Sequence, residues 1–348
     1  MIDYTQTNIR KIAIHEVGNK SLNEPLRLSK NEIDLSNPLL RELLVKYFIS
    51  SFKSDLYYNF FHDIGLSMNE VYVCANRIFE NVDTLYEQSV YIAKHLYDKS
   101  EHPNIKEGEF YIAYFEDCMI QGQTVDAIGL FKSENKDTFL KVYPSGNNFE
   151  IECQQGVNIN KLDKGCLIFN IDKEDGYIVA VVDNTNKGIE AHYWIDDFLQ
   201  IRQRQDEYYN TQNVMSMCRD FVGIELPKQF GIDKADQAQL INESIKFFKE
   251  KNTFDFEEYG HEVLRESEII KSFNDYSDKY QQDREIELSD NFSISDSAVK
   301  KQTRTFKSVI KLDKNFHIYV HGNNQYIKRG YDESTGMYYY QLFFKNEL

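Results

Sequence analysis

Apolar and polar positions change period several times along the chain, and each change predicts an element. Over residues 9–17, Ile12 and Ile14 alternate with Ala13 and His15, which predicts a strand closed by Gly18-Asn19. A helix follows over 38–53. Asn37 is placed to cap it, Pro38 suits the first helical position, and Leu39, Leu40, Leu43, Leu44, Tyr47 and Phe48 form one apolar stripe. Helices are also predicted over 69–81 and 84–98, the latter with Asp83 as its cap and Tyr86, Val90, Ala93 and Tyr97 at helical spacing. From 109 to 183 the period drops to two, and apolar runs separated by Gly, Asn and Asp clusters predict an antiparallel β meander. The helical period returns over 205–222, over 233–249 with Asp233 as cap, and over an acidic stretch 257–280. A polar passage at 285–297 leads to a short helix near 296–304. The remainder alternates again as strands, with turns at 313–315, 322–324 and 334–336.

This order of elements predicts an α+β protein. A chain of 348 residues exceeds what one core usually supports, so several domains are expected. We place them as an α/β domain with a central antiparallel sheet at 1–203, an acidic helical segment at 204–290, and a small, basic, β-rich module at 291–348.

Charge sharpens the picture. The formal net charge is −16, yet residues 298–348 hold nine lysines and arginines against four acids, a net of +5. Immediately before them, residues 251–297 hold thirteen acids against five bases. An acidic protein is repelled from DNA at long range, so any contact with a polyanion must be local and must come from the tail. Five scattered cysteines, odd in number and without a C-x-x-C pair, disfavour a disulfide framework or a zinc site. No basic stretch followed by an apolar run opens the chain, and no run is long enough to span a membrane, so a cytoplasmic protein is expected.

The sequence offers little catalytic chemistry. The phosphate-loop, dinucleotide-binding, nucleophile-elbow and H-E-x-x-H signatures are all absent. His317 and His321 sit four apart on a predicted strand, about 13 Å from each other and too far to share an ion. Residues 183–188 have Thr and Lys where a calcium loop needs oxygen donors, and they are expected to form a hairpin turn. Asp126 with Glu134 and Lys136 has the residue types of a Mg²⁺-dependent nuclease, which leaves that chemistry as a minor alternative.

The expected nucleic-acid contacts are Lys300, Lys301 and Arg304 in the short helix, with Lys300 and Arg304 on one face. Lys307 and Lys311 lie four apart along the next strand, and Lys328 and Arg329 sit on a later one. Such cations can line phosphates without reading bases. The interleaved Phe316, Tyr319, Tyr326, Tyr331, Tyr338, Tyr339 and Tyr340 are expected mostly to form the module's own core, and otherwise to stack on bases.

The strand Ile12-Ala13-Ile14-His15-Glu16-Val17, the run FKSENKDTFLKV at 131–142, LDKGCLIFN at 162–170 and FKSVIKLDKNFHIYVHG at 306–322 resemble the YejK/NdpA-type nucleoid-associated protein family, in its Bacteroidetes-like branch. The likeness is one of layout over nearly the whole chain and carries no catalytic signature. It implies a cytoplasmic, nucleoid-located, DNA-associated protein, and a type II topoisomerase is linked to the group as a partner. With the charge pattern, the expectation is a non-enzymatic protein without a cofactor that binds double-stranded DNA weakly and without strong sequence preference. A homodimer is expected because symmetric pairs are common and two weak sites reinforce each other. The competing expectation is a protein-interaction module whose acidic surface docks a DNA enzyme.

Overall fold

The computed structural model describes residues 6–185, 193–306, 309–312, 314–320 and 326–346. The fold is α+β, and the chain divides into two compact units, Met1–Arg204 and Gln205–Leu348. Lys307, Asp313 of the turn at 313–315, His321, the turn at 322–324 and residues 186–188 of the expected turn at 183–188 lie outside the described residues.

The first unit is built on one antiparallel sheet. Its strands are β1 (Asn8–Val17), β2 (Leu26–Leu28), β3 (Tyr57–Phe60), β4 (Gly108–Ile120), β5 (Gln123–Ser133), β8 (Lys164–Phe169), β9 (Ile178–Asp183) and β10 (Ile201–Gln203). They run in the order β10-β3-β9-β8-β5-β4-β1-β2. Both faces are covered, which is why the central strands read as almost unbroken apolar runs. Side chains alternate across the sheet. Ile112, Leu130 and Ile168 face α2 (Glu70–Glu80) and α3 (Leu85–Lys99), while Tyr111, Phe131 and Leu167 face α1 (Pro38–Ile49). Phe48 of α1 stacks on Phe131 with ring centroids 4.1 Å apart.

Asn37 caps α1 as expected, accepting from the Leu39 and Leu40 N–H groups. Asp83 does not cap α3. Its carboxylate pairs instead with Lys11 at 3.0 Å, and Asn81 caps the short turn that precedes the helix. The expected six-strand meander also differs from the structure. β6 (Asp137–Ser145) and β7 (Asn148–Gly156) pair only with each other among the described residues and form a separate two-stranded ribbon.

His15 illustrates how the sheet and α3 lock together. Its ring is buried, accepts at Nδ1 from the Ser29 N–H (3.2 Å) and lies 2.9 Å from Ser89 Oγ through Nε2. Ser89 donates its own proton to the Tyr86 carbonyl, so the imidazole must donate from Nε2 and be neutral. Burial pushes its pKa down from 6.5 to about 4. Between those values the unfolded chain binds a proton that the folded chain refuses. Stability should therefore fall as pH drops from 6.5 towards 4, and His15→Gln should flatten that slope in urea titrations across the range.

The second unit starts with α4 (Glu207–Asp220), which widens into a π-helical turn at Phe221–Glu225 before α5 (Leu226–Phe230), where Pro227 cannot donate to the ladder. α6 (Lys234–Glu250) is capped by Asp233 as predicted. The acidic stretch 257–280 is not one helix. α7 (Phe256–Tyr259) and a π-helical turn end at Arg265, whose φ of +65° breaks the helix before α8 (Ser267–Arg284). β11 (Thr253–Asp255) pairs with β12 (Asn291–Ser293), and Phe254 stacks on both Phe248 and Phe292. α9 (Asp296–Gln302) follows, so residues 291–302 are packed with the helices. A second, smaller cluster joins Ala235 and Ala238 of α6 to Ile310, Leu312, Ile318, Val320, Ile327 and Tyr340. It anchors two ribbons, β13 (Val309–Leu312) with β14 (Phe316–Tyr319), and β15 (Ile327–Asp332) with β16 (Met337–Leu342).

Candidate nucleic-acid interface

α6 is amphipathic. Ala238, Ile241, Phe247 and Phe248 are buried, which leaves Lys246 and Lys249, three residues apart, exposed on the other side. Beside them, β13 and β14 pair so that Val309 faces Tyr319 and Lys311 faces His317. Residues directly opposite share a face, so these four line one side of the ribbon while Ile310, Leu312 and Ile318 turn into the small core. Asn242 ties the helix to the ribbon by donating to the Val320 carbonyl at 3.2 Å.

The result is an open groove of about 820 Å³ that presents Lys246, Lys249, Lys311, His317 and Tyr319, bordered by Thr303 and Phe306. A second groove of about 330 Å³ lies on the other side of Lys311 and adds Arg219 and Lys234. The one carboxylate lining either groove among the described residues is Glu250, 3.9 Å from Lys246 in an exposed i, i+4 pair that contributes little. Arg219 is held by Asp220 at 2.8 Å and reaches Thr305 at 3.1 Å.

Of the expected cations that lie among the described residues, only Lys311 enters these grooves. Lys300 and Lys301 are exposed on α9, and Lys301 lies 5.8 Å from the ring centre of the buried Tyr208. Arg304 falls beyond the helix, past the Thr303 cap, in a turn closed by the Thr305 N–H donating to Gln302. Lys328 and Arg329, being adjacent on β15, point to opposite faces of their ribbon. Arg329 lies 4.2 Å from the Tyr338 ring centre, and Lys328 lies 5.5 Å from that of Phe343. None of these five has an ion pair among the described residues.

The expectation that the tail's aromatics form its core is overturned. Phe316, Tyr319, Tyr326, Tyr331, Tyr338 and Tyr339 are all exposed, and only Tyr340 packs inward. Two-stranded ribbons have too few inward positions to hide them, and small alanines of α6 fill the contact instead. Tyr339 lies flat over Gly330, where an added Cβ would come within 2.3 Å of the ring.

The nuclease residues do not converge. Asp126 sits near the start of β5 and accepts from the Tyr114 hydroxyl at 2.6 Å, whereas Glu134 follows the strand's far end, about 25 Å along the chain. Glu134 is taken up by two buried lysines. Its carboxylate accepts from Lys164 at 2.7 Å, pairs with Lys132 at 3.2 Å, and is reached by the Tyr193 hydroxyl at 3.3 Å. Lys136 pairs with Glu109. The cluster is an internal tie between β5 and β8, with Asp163 fixing the Glu134 and Asn135 N–H groups at 2.7 and 2.8 Å.

The pattern that defines the family described as nucleoid-associated protein YejK matches residues 13–338. The chain belongs to this family. No curated protein matches it. Family membership brings the coarse role, association with the nucleoid, and among the described residues no helix is long and apolar enough to cross a membrane.

Proposed function

We propose that the protein is a non-enzymatic, cytoplasmic component of the nucleoid. In this reading it binds double-stranded DNA directly and without strong sequence preference, through a basic surface of its second unit to which both the helices and the C-terminal ribbons contribute. The observation that carries the reading is the convergence of Lys246, Lys249, Lys311, Lys234 and Arg219 on two adjoining grooves beside exposed aromatics. Lys300, Lys301, Arg304, Lys328 and Arg329 add further exposed cations from elements of the same unit. Side chains of this kind neutralise phosphates and leave base edges unread. At physiological salt the screening length is about 8 Å, so a local cationic surface acts on a nearby backbone despite the −16 of the whole chain. A homodimer doubles the number of weak contacts and raises avidity without any new one.

The test is a salt titration of full-length protein on duplex DNA. Contact with about four phosphates gives log K falling against log salt with a slope near −3.6. Absence of any gel shift at low salt and micromolar protein would refute direct binding.

A second reading rests on α8 and the residues after it. There Glu268, Asp275, Asp278, Asp283, Glu285 and Glu287 are exposed and have no ion pair among the described residues. Such a surface suits the basic face of a DNA-processing enzyme, with a type II topoisomerase the expectation that the resemblance brings.

A further inference from the structure

We infer that the β6–β7 ribbon is the surface through which two copies of this chain associate. The register pairs Leu140 with Cys153, Val142 with Ile151 and Pro144 with Phe149, which puts all six on one face. The opposite face is more polar, with Lys141 across from Glu152 and the Tyr143 hydroxyl donating to Glu150 at 3.2 Å, although Phe139 across from Gln154 also lies on it. Amphipathic alternation of this kind normally serves a sheet whose apolar face meets a core, but here none of the described residues covers it. Leu140, Val142, Ile151 and Phe149 are 63, 59, 67 and 74% exposed. A lone two-stranded hairpin is marginal in water, and a contiguous bare apolar patch of this size marks an interface.

Charge decides against DNA as the occupant. The ribbon holds Asp137, Glu150 and Glu152 against a single Lys141, so a phosphate backbone is repelled from it. A second copy fits. The apolar face has no ionisable carboxylate or amine, so packing it on itself across a two-fold axis sets no like charges together. Six side chains exposing on the order of 100 Å² each amount to about 600 Å² per copy, or roughly 1,200 Å² in a pair, which reaches the lower bound for a specific interface. Each strand is about 30 Å long, several screening lengths, so arm-to-arm packing leaves room between two acidic bodies. This inference gives the proposed homodimer its surface and stands apart from the DNA reading.

The exposed Cys153 is a built-in reporter, since the other four cysteines are buried. Full-length protein at tens of micromolar is expected to sediment at twice the 41.1 kDa chain mass. A short bismaleimide is expected to join two copies, and Cys153→Ser should abolish that product. The double variant Val142→Lys with Ile151→Glu keeps a favourable cross-strand pair within the hairpin but makes the face charged. It should weaken association roughly a hundredfold or more, because those charges lose water on pairing, and the unfolding transition of the first unit should stay unchanged. Monomeric wild-type protein would overturn both the homodimer and its surface, and would assign the face to another protein. A double variant that dimerises as tightly as wild type, or the absence of a Cys153-dependent product, would overturn the surface alone.

Discussion

Replacing Glu134 by alanine is expected to lower the unfolding free energy of the first unit by about 3–5 kcal/mol, the usual cost of removing one partner from a buried ion pair. Lys132 and Lys164 are both fully buried, and Glu134 is the carboxylate closest to each. Asp183 stands farther off, 3.9 Å from Lys164. Without Glu134, two ammonium groups share a dry site with one more distant counter-charge. Burial already holds the Lys132 pKa below its ordinary 10.5. Losing the carboxylate pushes it further down, so the unfolded chain binds more protons and the deficit should shrink as pH rises towards 10.5. Lys132→Met should cost less than Glu134→Ala, because it leaves the Lys164–Glu134 pair intact. Trp194 is the only tryptophan and is buried against Phe110 and Phe198, so its fluorescence during urea unfolding reports this unit. A loss below about 1 kcal/mol would mean that water reaches the site and screens the charges.

Local signals in the sequence were strong where an element's end is set by its own residues. Asn37-Pro38 and Asp233 start helices as their chemistry demands. The signals fail where tertiary partners decide. Residues 137–156 alternate just as the neighbouring strands do, and nothing local distinguishes a strand that joins the large sheet from one that stands alone. Arg265 breaks a stretch that reads as one helix, yet it is not a residue type that prefers a positive φ. The basic tail was legible as composition, but the grooves were not. Lys246 and Lys249 read as the solvated side of an amphipathic helix, and only the docking of β13 and β14 against α6 sets them beside Lys311. Their i, i+3 spacing, with a single acid following, was the available signal. Lys328 and Arg329 look like one patch in the sequence, but strand geometry divides them between two faces.

Reversing Lys246, Lys249 and Lys311 together to Glu should reduce DNA affinity at physiological salt by about two orders of magnitude. Each lost phosphate contact removes about 0.9 from the salt slope, worth roughly fivefold in affinity between 0.15 M and 1 M salt, and three contacts multiply. The slope itself should flatten by about 3, a signature that a mere loss of fold does not produce. All three lysines are exposed, so the variant should remain folded. Reversing Lys300, Lys301 and Arg304 instead alters an equal number of exposed cations that line neither groove. If the grooves hold the backbone, this second triple should weaken binding by less than the first and shift the slope by less than 3. Equal losses in the two variants would place the contact on a broad positive surface. A larger loss in the α9 variant would move the interface to that helix and refute the groove as its centre.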